Sequence, residues 1–340
     1  LGTVLLLTVV QFLIAVCTAD YSIYETTVGG TLDGEYVEVI VDYGGLVEDL
    51  FLRSEITGES RRVLLTHNNQ ASAVEENTWW QGMLLIPWAN RIAYGRYEFF
   101  NSVYRLPLNE LSIDPPLINA LHGFMDGKKM TITDTQATAH YGLLQLSYTF
   151  NHPLPGYPFH FELSIDYILS ESGFAMDFHV TNNMESTPMP FYMGWHPYFC
   201  CVPNEAYVVL DPCTSWNHVE LDANMDPTGE TTRYYGLNGS DPIGGTLLNP
   251  TFYDDEFKPI TPRKPRCDFI LTGLYDEPTN QSVVLWQDSS FRFVHVFTGR
   301  QGAIAMEPMS GMADAYNNHD HLSVLSGGET WSGSVGVYVE

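Results

Sequence analysis

FHFELSIDY, residues 159–167, alternates apolar and polar side chains at every position. The odd-numbered residues, from Phe159 to Tyr167, are all apolar, and the even-numbered residues between them are all polar. A period of two is that of a β-strand that packs one face on a core and turns the other toward water. The stretch therefore predicts a half-buried strand.

Similar short runs follow one another along the chain, with turn residues between them. They cover residues 36–43, 143–150, 175–182, 282–286, 291–297 and 333–339. The 340 residues include 28 glycines and 20 prolines, and no strong helical pattern competes with the strands. We expect a mostly β fold, a large antiparallel β-sandwich. No internal repeat, flexible linker or charge block divides the sequence, which predicts a single domain over residues 20–340.

The charge balance restricts the partners. Acidic side chains outnumber basic ones by 41 to 15, which gives a formal net charge of −26. Such a field repels phosphate backbones and anionic lipid surfaces. We expect no nucleic-acid partner, and phosphorylated substrates are disfavoured.

The N-terminus indicates a location outside the cytosol. Residues 4–16 are nearly all apolar, and Cys17-Thr18-Ala19 resembles a signal peptidase site. Residues 1–19 are predicted to be a signal peptide whose charged start is missing, since the chain opens with Leu1. The protein is then secreted or lies in the secretory-pathway lumen, with no stable membrane insertion after cleavage. An uncleaved anchor is the alternative.

The cysteines and the glycosylation sequons are interpreted for a protein located outside the cytosol. Loss of the leader leaves Cys200, Cys201, Cys213 and Cys267, enough for two disulfides. Adjacent cysteines do not readily bond to each other, so we expect one of the first two to pair with Cys213 and the other with Cys267. Their spacing does not match a zinc site, and we predict no structural metal. Asn238-Gly239-Ser240 and Asn280-Gln281-Ser282 are candidate glycosylation sites.

A single carboxylate follows the apolar run of residues 302–306. Pro308 cannot donate to a strand ladder, so we expect the strand to end near Glu307, with its side chain at a sheet edge or cleft mouth. That is a common position for a general base. The alternative is a strand-end glutamate that faces water.

Two further segments carry groups suited to sugar binding. Arg91, in PWANRI at residues 87–92, is one of the few basic residues and lies near the Trp79-Trp80 pair in sequence. A guanidinium can hydrogen-bond sugar hydroxyls while indoles cover apolar sugar faces. A surface ion pair is the alternative for Arg91. His122, in LHGF at residues 121–124, is a lone histidine in a turn. The alternative to sugar binding by His122 is a purely structural role.

His196 and Asp254 complete the candidates. In GWHPYF, residues 194–199, the proline stops strand pairing just after His196, which holds the ring where it can donate a proton. Asp254 belongs to the acidic cluster YDDEF at residues 253–257. The alternative interpretation of this cluster is a solvated loop.

Taken in order, these segments resemble the aldose 1-epimerase (mutarotase) family from about Tyr36 to Tyr338. Two departures suggest a substrate other than galactose or glucose: Ala313 replaces a proline found in many members, and Gly194-Trp195 replaces a turn that often contains asparagine. The matching motifs are Asn90-Arg91-Ile92, Leu121-His122-Gly123, His196-Pro197-Tyr198-Phe199, Asp254-x-x-Phe257, Glu307-Pro308-Met309-Ser310 and Asp314-Ala315-Tyr316-Asn317.

The resemblance implies a galactose mutarotase-like β-sandwich that binds a free, neutral hexose without metal or organic cofactor. It implies that Glu307 is the general base at the C1 hydroxyl and His196 the general acid at the ring oxygen, so that the ring opens and recloses as the other anomer. By the same resemblance, Asn90, Arg91, His122 and Asp254 bind the sugar. Such chemistry needs an ionised base and a protonated acid, and we expect burial or hydrogen bonding to tune both groups.

Two other functions are weighed against this one. A hexose-6-phosphate 1-epimerase would need more basic groups than this chain has. A secreted, non-catalytic carbohydrate-binding or extracellular matrix glycoprotein would not need the Glu307 and His196 pair. No Gly-rich coenzyme loop or Ser/His/Asp arrangement stands out. The sequence makes no prediction of the oligomeric state.

Overall fold

The computed structural model describes the backbone of residues 23–28 and, in full, residues 34–68, 70–110, 116–138, 140–152, 154–202, 204–243, 253–260 and 267–340. The predicted signal peptide, including Cys17, lies outside these residues. The described helices are the 3-10 turn Val41–Tyr43, α1 Ala71–Glu76 and α2 Ala315–Asn318. The described strands are β1 Ile23–Val28, β2 Glu35–Ile40, β3 Leu46–Arg53, β4 Ser60–Arg62, β5 Leu84–Leu85, β6 Arg91–Ala93, β7 Arg96–Phe99, β8 Ser102–Arg105, β9 Asn119–Leu121, β10 Thr131–Ala137, β11 Tyr141–Phe150, β12 Phe161–Ser170, β13 Gly173–Asn182, β14 Met189–Phe191, β15 Gly194–Trp195, β16 Tyr198–Cys200, β17 Ala206–Leu210, β18 Ser215–Leu221, β19 Pro227–Tyr234, β20 Asp254–Ile260, β21 Ile270–Asp276, β22 Gln281–Gln287, β23 Phe293–Phe297, β24 Ala303–Met309, β25 Ser323–Leu325 and β26 Thr330–Val339.

Two eight-stranded antiparallel sheets dominate the fold, as the sequence predicts. The first, which we call the scaffold sheet, has the order β10-β11-β12-β13-β26-β22-β21-β17. The second, the site sheet, has the order β19-β18-β20-β23-β24-β15-β5, with β16 also paired to β24. A four-stranded sheet, β1-β2-β3-β4, adds to these two. The mostly β, antiparallel class is confirmed.

The alternation of residues 159–167 is realised in β12 of the scaffold sheet. Phe161, Leu163, Ile165 and Tyr167 are buried, whereas Glu162 is exposed. The buried set joins one large hydrophobic cluster. The other predicted runs overlap β2, β11, β13, β22, β23 and β26.

The strand that carries Glu307 differs from the prediction. β24 does not end at Glu307 but continues through Pro308 to Met309, and it lies inside the site sheet rather than at its edge. One neighbour of β24 is broken, because β16 pairs only as far as Ala305 and β15 only with Met309. Pro308 lies in that gap, where no ladder bond is lost on that side.

The cysteine pairing also differs from the prediction. Cys213 bonds to Cys267, with 6.1 Å between their Cα atoms, while Cys200 and Cys201 are free thiols. The reason is topological, because β17 and β21 are antiparallel neighbours with Leu210 opposite Thr272. The segment after β17 therefore meets the segment before β21. None of the helices in the described part of the chain has the length and apolar character to cross a membrane.

Candidate active site

Strand register places the candidate residues on one face of the site sheet. Glu256, His295 and Glu307 are directly opposite one another on β20, β23 and β24. Residues opposite each other in antiparallel strands point to the same face. Asp254 lies two residues before Glu256 and therefore shares this face. The three strands thus carry four ionisable side chains to one side of the sheet.

Three of these side chains, Asp254, His295 and Glu307, line a cavity of about 320 Å³, whereas Glu256 does not. Its size is at the lower end of the usual range for ligand pockets. The cavity contains all six residues predicted from the sequence. Its lining consists of Thr78, Trp79, Trp80, Asn90, Arg91, Asn109, Glu110, Leu121, His122, His196, Tyr198, Asp254, His295, Phe297 and Glu307.

Glu307 and His196 face each other at the buried end of the cavity. Their relative exposures are 1% and 5%, and His196 Nε2 lies 3.4 Å from Glu307 Oε1. The break between β15 and β16 contains His196, and Tyr198 stacks on its ring with 4.9 Å between centroids. Glu307 Oε2 and His196 Nδ1 are buried and have no hydrogen-bond partner among the described residues. Both groups therefore retain capacity for a ligand.

Burial shifts both groups toward their neutral forms. It raises the pKa of Glu307 to about 7, against the smaller opposite effect of the nearby His295, and it lowers the pKa of His196 to about 3. The sequence analysis expects burial or hydrogen bonding to tune the pair toward an ionised base and a protonated acid, but burial acts on both groups in the opposite direction. It also anticipates a protonated histidine near neutral pH, whereas in the unliganded protein the His196 imidazole is neutral because it has no close counter-charge strong enough to offset desolvation.

Arg91 is fixed at the start of β6. Its guanidinium donates to Glu110 from Nε at 3.0 Å and from Nη2 at 2.8 Å, and Nη2 lies 3.9 Å from Asp254 Oδ2. Arg91 is only 7% exposed, so these are not surface ion pairs. Asn90, whose φ is +55°, accepts from the Arg91 backbone N–H through Oδ1 at 2.9 Å. The two residues form one buried polar unit.

The backbone of Asn90 determines the tautomer of His122. The Asn90 backbone N–H donates to His122 Nδ1 at 3.1 Å. Burial first, and then the neighbouring positive charges, holds the pKa of His122 well below its ordinary value. The neutral ring must then carry its proton on Nε2. His122 is a hydrogen-bond donor toward the cavity.

The tautomer of His122 also decides whether the site can bind a metal ion. Ligand atoms of His122, His196 and Glu307 lie within 4.8 Å of one another, and two histidines with a glutamate are a known zinc donor set. A ligating histidine, however, donates the hydrogen of its other ring nitrogen to a neighbouring acceptor. His122 Nδ1 instead accepts a hydrogen bond, which leaves no free lone pair on the neutral Nε2. The donor set does not fit a metal ion.

Asp254 is not part of a solvated loop, because it begins β20 and faces two cations. Its Oδ1 accepts from His295 Nε2 at 2.9 Å, and Arg91 approaches its Oδ2. Burial opposes ionisation, but the His295 hydrogen bond and the Arg91 charge together hold the pKa of Asp254 at about 2. Asp254 is therefore a carboxylate at neutral pH.

His295 is, with Glu110, an ionisable residue of the cavity lining that the sequence analysis missed. It is 3% exposed, and Asn90 Nδ2 lies 3.3 Å from its Nδ1. Burial lowers its pKa, but the charges of Glu307 and Asp254 outweigh burial and raise the pKa to about 9. A signal was present, since His295 is one of only two ionisable residues, with Arg292, within the predicted strand run 291–297. The sequence alone does not predict that His295 lies opposite Glu307, because that depends on the strand register.

Comparisons with known proteins identify the family and the fold. The aldose 1-epimerase family model matches residues 32–338. An uncharacterized protein of Escherichia coli (strain K12), YihR, is 27% identical over 316 residues, which are 87% of this chain and 88% of that protein.

Solved structures share the fold. A galactose mutarotase-like protein from Clostridium acetobutylicum has a TM-score of 0.78 at 19% identity, covering 94% of this chain and 95% of the other. Galactose 1-epimerase from Lactobacillus acidophilus NCFM has a TM-score of 0.70 at 15% identity, covering 95% and 96%. At these identities the structures support the fold alone, and the match to the family model carries the assignment. The chain belongs to the aldose 1-epimerase family.

Proposed function

We propose that this protein interconverts the α and β anomers of a free, neutral hexose by opening and reclosing the sugar ring. Glu307 removes the proton from the C1 hydroxyl, and His196 protonates the ring oxygen. Rotation about the C1–C2 bond and reclosure in the reverse sense give the other anomer. The reaction consumes no co-reactant, because each proton that is taken up is returned.

One observation carries this proposal. A carboxylate and an imidazole lie 3.4 Å apart at the buried end of a cavity, and each retains one polar atom without a partner in the described chain. A purely structural ion pair would satisfy its polar atoms within the protein. A site that exchanges protons with a ligand needs this unfilled capacity.

The shifted pKa values are compatible with these roles when the pair is treated as one unit. A protonated Glu307 beside a neutral His196 contains the same number of protons as a Glu307 carboxylate beside an imidazolium. A C1 hydroxyl that donates to Glu307 stabilises the carboxylate, and a ring oxygen that accepts from His196 stabilises the imidazolium. Sugar binding would therefore move the proton from Glu307 to His196, and the pKa for loss of this shared proton belongs to the pair rather than to either residue.

The remaining polar groups suit the hydroxyls of a neutral sugar. His122 Nε2 is a donor, and the Asp254 carboxylate is an acceptor. Arg91, the one Lys or Arg side chain in the lining, is already bound to Glu110 and lies close to Asp254. A sugar phosphate would find little uncompensated positive charge here. A neutral hexose is therefore the substrate class that we propose.

Polarimetry of freshly dissolved α-D-glucose and α-D-galactose, corrected for the spontaneous rate, tests the proposal. We expect wild type to accelerate anomerisation and Glu307→Gln to lose that acceleration. A folded wild-type protein that accelerates neither sugar would contradict the choice of hexose. Sugar binding without acceleration, measured by calorimetry, would favour the non-catalytic alternative.

We also propose that the protein is secreted. The Cys213–Cys267 disulfide is typical of oxidising compartments, and the side chains of Asn238 and Asn280 are exposed and accessible to glycosylation. Expression in a eukaryotic secretory host, followed by N-glycosidase treatment, tests this location. A protein retained in the cytosol with no mass shift would contradict it.

A further inference from the structure

We propose that Asn224, in the loop between β18 and β19, is a positioning residue for the sugar site. It acts through Asn119 and Glu110, and it fixes the guanidinium of Arg91 for contact with sugar hydroxyls. This proposal rests on the proposed sugar binding and deepens it, because Asn224 lies outside the cavity lining.

The groups that a sugar must reach lie on different sheets. Arg91 begins β6, which forms a separate two-stranded sheet with β9, whereas Glu307 lies on β24 of the site sheet. A ligand that contacts both groups needs them held to within about 0.5 Å of the productive geometry. Contacts that join the β6–β9 pair to the site sheet therefore affect sugar binding.

Asn224 joins β9 to the site sheet. Its loop follows β18, which is the neighbour of β20, the strand that carries Asp254. The Asn224 side chain donates from Nδ2 to Asn119 Oδ1 at 2.7 Å, and its backbone carbonyl accepts from Asn119 Nδ2 at 2.8 Å. Asn224 Oδ1 also accepts from the Ile118 backbone N–H at 2.9 Å. Three hydrogen bonds thus connect one loop residue to the start of β9.

The neighbours of Asn224 leave its amide one orientation. Nδ2 lies between two acceptors, Asn119 Oδ1 and, at 2.6 Å, Asp226 Oδ2, while Oδ1 faces a backbone N–H. A flipped amide would place its oxygen against both acceptors. Asp226 is 5% exposed, and its Oδ1 has no hydrogen-bond partner among the described residues. This buried carboxyl group therefore depends on the N–H of Asn224.

Asn119 transmits this order to Glu110. Asn119 is fully buried, and its Nδ2 donates both to Asn224 and, at 3.0 Å, to Glu110 Oε2. Its Oδ1 accepts from Asn224 and, at 3.4 Å, from the Tyr94 backbone N–H, so all four hydrogen-bonding positions of the amide are used. Glu110 in turn accepts from Arg91 Nε with both carboxylate oxygens. An unbroken chain of hydrogen bonds therefore runs from the β18–β19 loop to the guanidinium.

A purely structural role of Asn224 is the alternative. A residue that only holds its loop in place would lower stability when replaced, and the folded protein would keep its affinity for every sugar. A positioning residue would instead weaken the contacts that Arg91 makes with particular hydroxyls. The two roles differ in which sugars are affected.

Polarimetric kinetics with deoxy sugars separate these roles. We would measure kcat and KM for glucose and for its monodeoxy derivatives that still form an anomeric pyranose, in wild type, Arg91→Lys and Asn224→Asp. Arg91→Lys identifies the hydroxyl that Arg91 binds, because the sugar without that hydroxyl is affected least. We expect Asn224→Asp, which keeps the shape but loses both N–H donors, to raise KM for glucose about three- to tenfold. It should leave kcat within about twofold and spare the same deoxy sugar.

Asn217→Asp is the matched control. Asn217 lies on β18 of the same hairpin and donates to Thr231 Oγ1 at 3.1 Å in an exposed hydrogen bond. This variant should leave KM unchanged for every sugar. Asn224→Ala, which removes the amide without adding a charge, serves if Asn224→Asp does not fold, and it should show the same pattern. The proposal is overturned if KM for glucose is unchanged in a folded Asn224 variant, or if KM rises equally for all the sugars.

An NMR measurement of Arg91 does not depend on turnover. The Nε–H signal, identified by its absence in Arg91→Lys, should be protected from solvent exchange in wild type, because Glu110 accepts it and Arg91 is buried. If wild type accelerates no sugar, faster exchange of that proton in Asn224→Asp but not in Asn217→Asp would still support the positioning of Arg91. An unchanged exchange rate in Asn224→Asp would overturn it.

Discussion

Strand β12 of the scaffold sheet alternates buried and solvent-facing side chains along its length, whereas strand β24 of the site sheet is buried at all seven positions. The acidic residue Glu162 of β12 is exposed, but Glu307 of β24 is 1% exposed. Removing a carboxylate from water is costly unless it is paired or neutralised. β12 avoids that cost, and β24 accepts it on the face that lines the cavity. The two sheets therefore divide stability and chemistry between them.

The largest expected effect comes from removing the buried carboxylate. Glu307→Gln should lower kcat about 10²–10⁴-fold with little change in KM, because an amide fills the same space but cannot accept the proton. Polarimetric rates at saturating sugar measure it.

Glu256→Gln is the control for that change. Glu256 is also 1% exposed, shares the row of Glu307 and His295, and has a pKa that burial raises to about 8. It is already largely neutral at pH 7 and does not line the cavity, so its amide should leave kcat within about twofold of wild type. Equal losses in both variants would contradict the assignment of Glu307.

The second prediction separates stability from activity. Ile165→Ala, at a fully buried position of β12, should destabilise the protein by about 2–5 kcal/mol while the folded fraction keeps its kcat. Glu307→Gln should do the reverse and stabilise the protein by about 1–3 kcal/mol near pH 8.

The sign of the second effect follows from the pKa of Glu307, which burial raises from 4.5 to about 7. The unfolded chain loses this proton first, so this contribution to stability is complete below pH 4.5 and is lost as the pH rises through 7. Urea unfolding from pH 4 to pH 8 should show that loss in wild type and not in Glu307→Gln. Parallel pH curves for the two proteins would refute it.

The different predictability of the two sheets has the same physical origin. Five of the eight scaffold strands, β11, β12, β13, β22 and β26, follow from alternation, because one face is dry and the other is wet. β24 and β23 have no such contrast, so the sequence does not reveal that the strand passes through Pro308, or that His295 opposes Glu307. Arg91, His122, His196, Asp254 and Glu307 were found through motifs, but their tautomers and shared face depend on cross-strand register. The Cys213–Cys267 pairing depends on the contact of β17 with β21 in the same way.

The third prediction concerns pH. The proposed active form keeps one proton on the Glu307–His196 pair, and this proton is lost as the pH rises through about 7. Above that value kcat/KM should fall about tenfold per pH unit. Below it, kcat/KM should stay level toward the His196 pKa of about 3, as far as the protein remains folded. A rate that rises through pH 7 and stays high to pH 9 would show that the pair acts without its shared proton.

The smallest effect tests how His295 connects the two strands. His295 contacts Asp254, and its positive charge lowers the pKa of Glu307 against the dominant effect of burial. His295→Gln removes that charge, so the pKa of Glu307 should rise further, and the descending limb of the kcat/KM profile should move to higher pH by less than about one unit. KM should also rise about three- to tenfold, because Asp254 loses one of the two cations that hold its carboxylate. His179→Gln, an exposed histidine on β13 of the scaffold sheet, is the matched control and should shift neither quantity. If His295→Gln lowers kcat without moving the limb, the residue supports the packing of the strands but does not set the charge of Glu307.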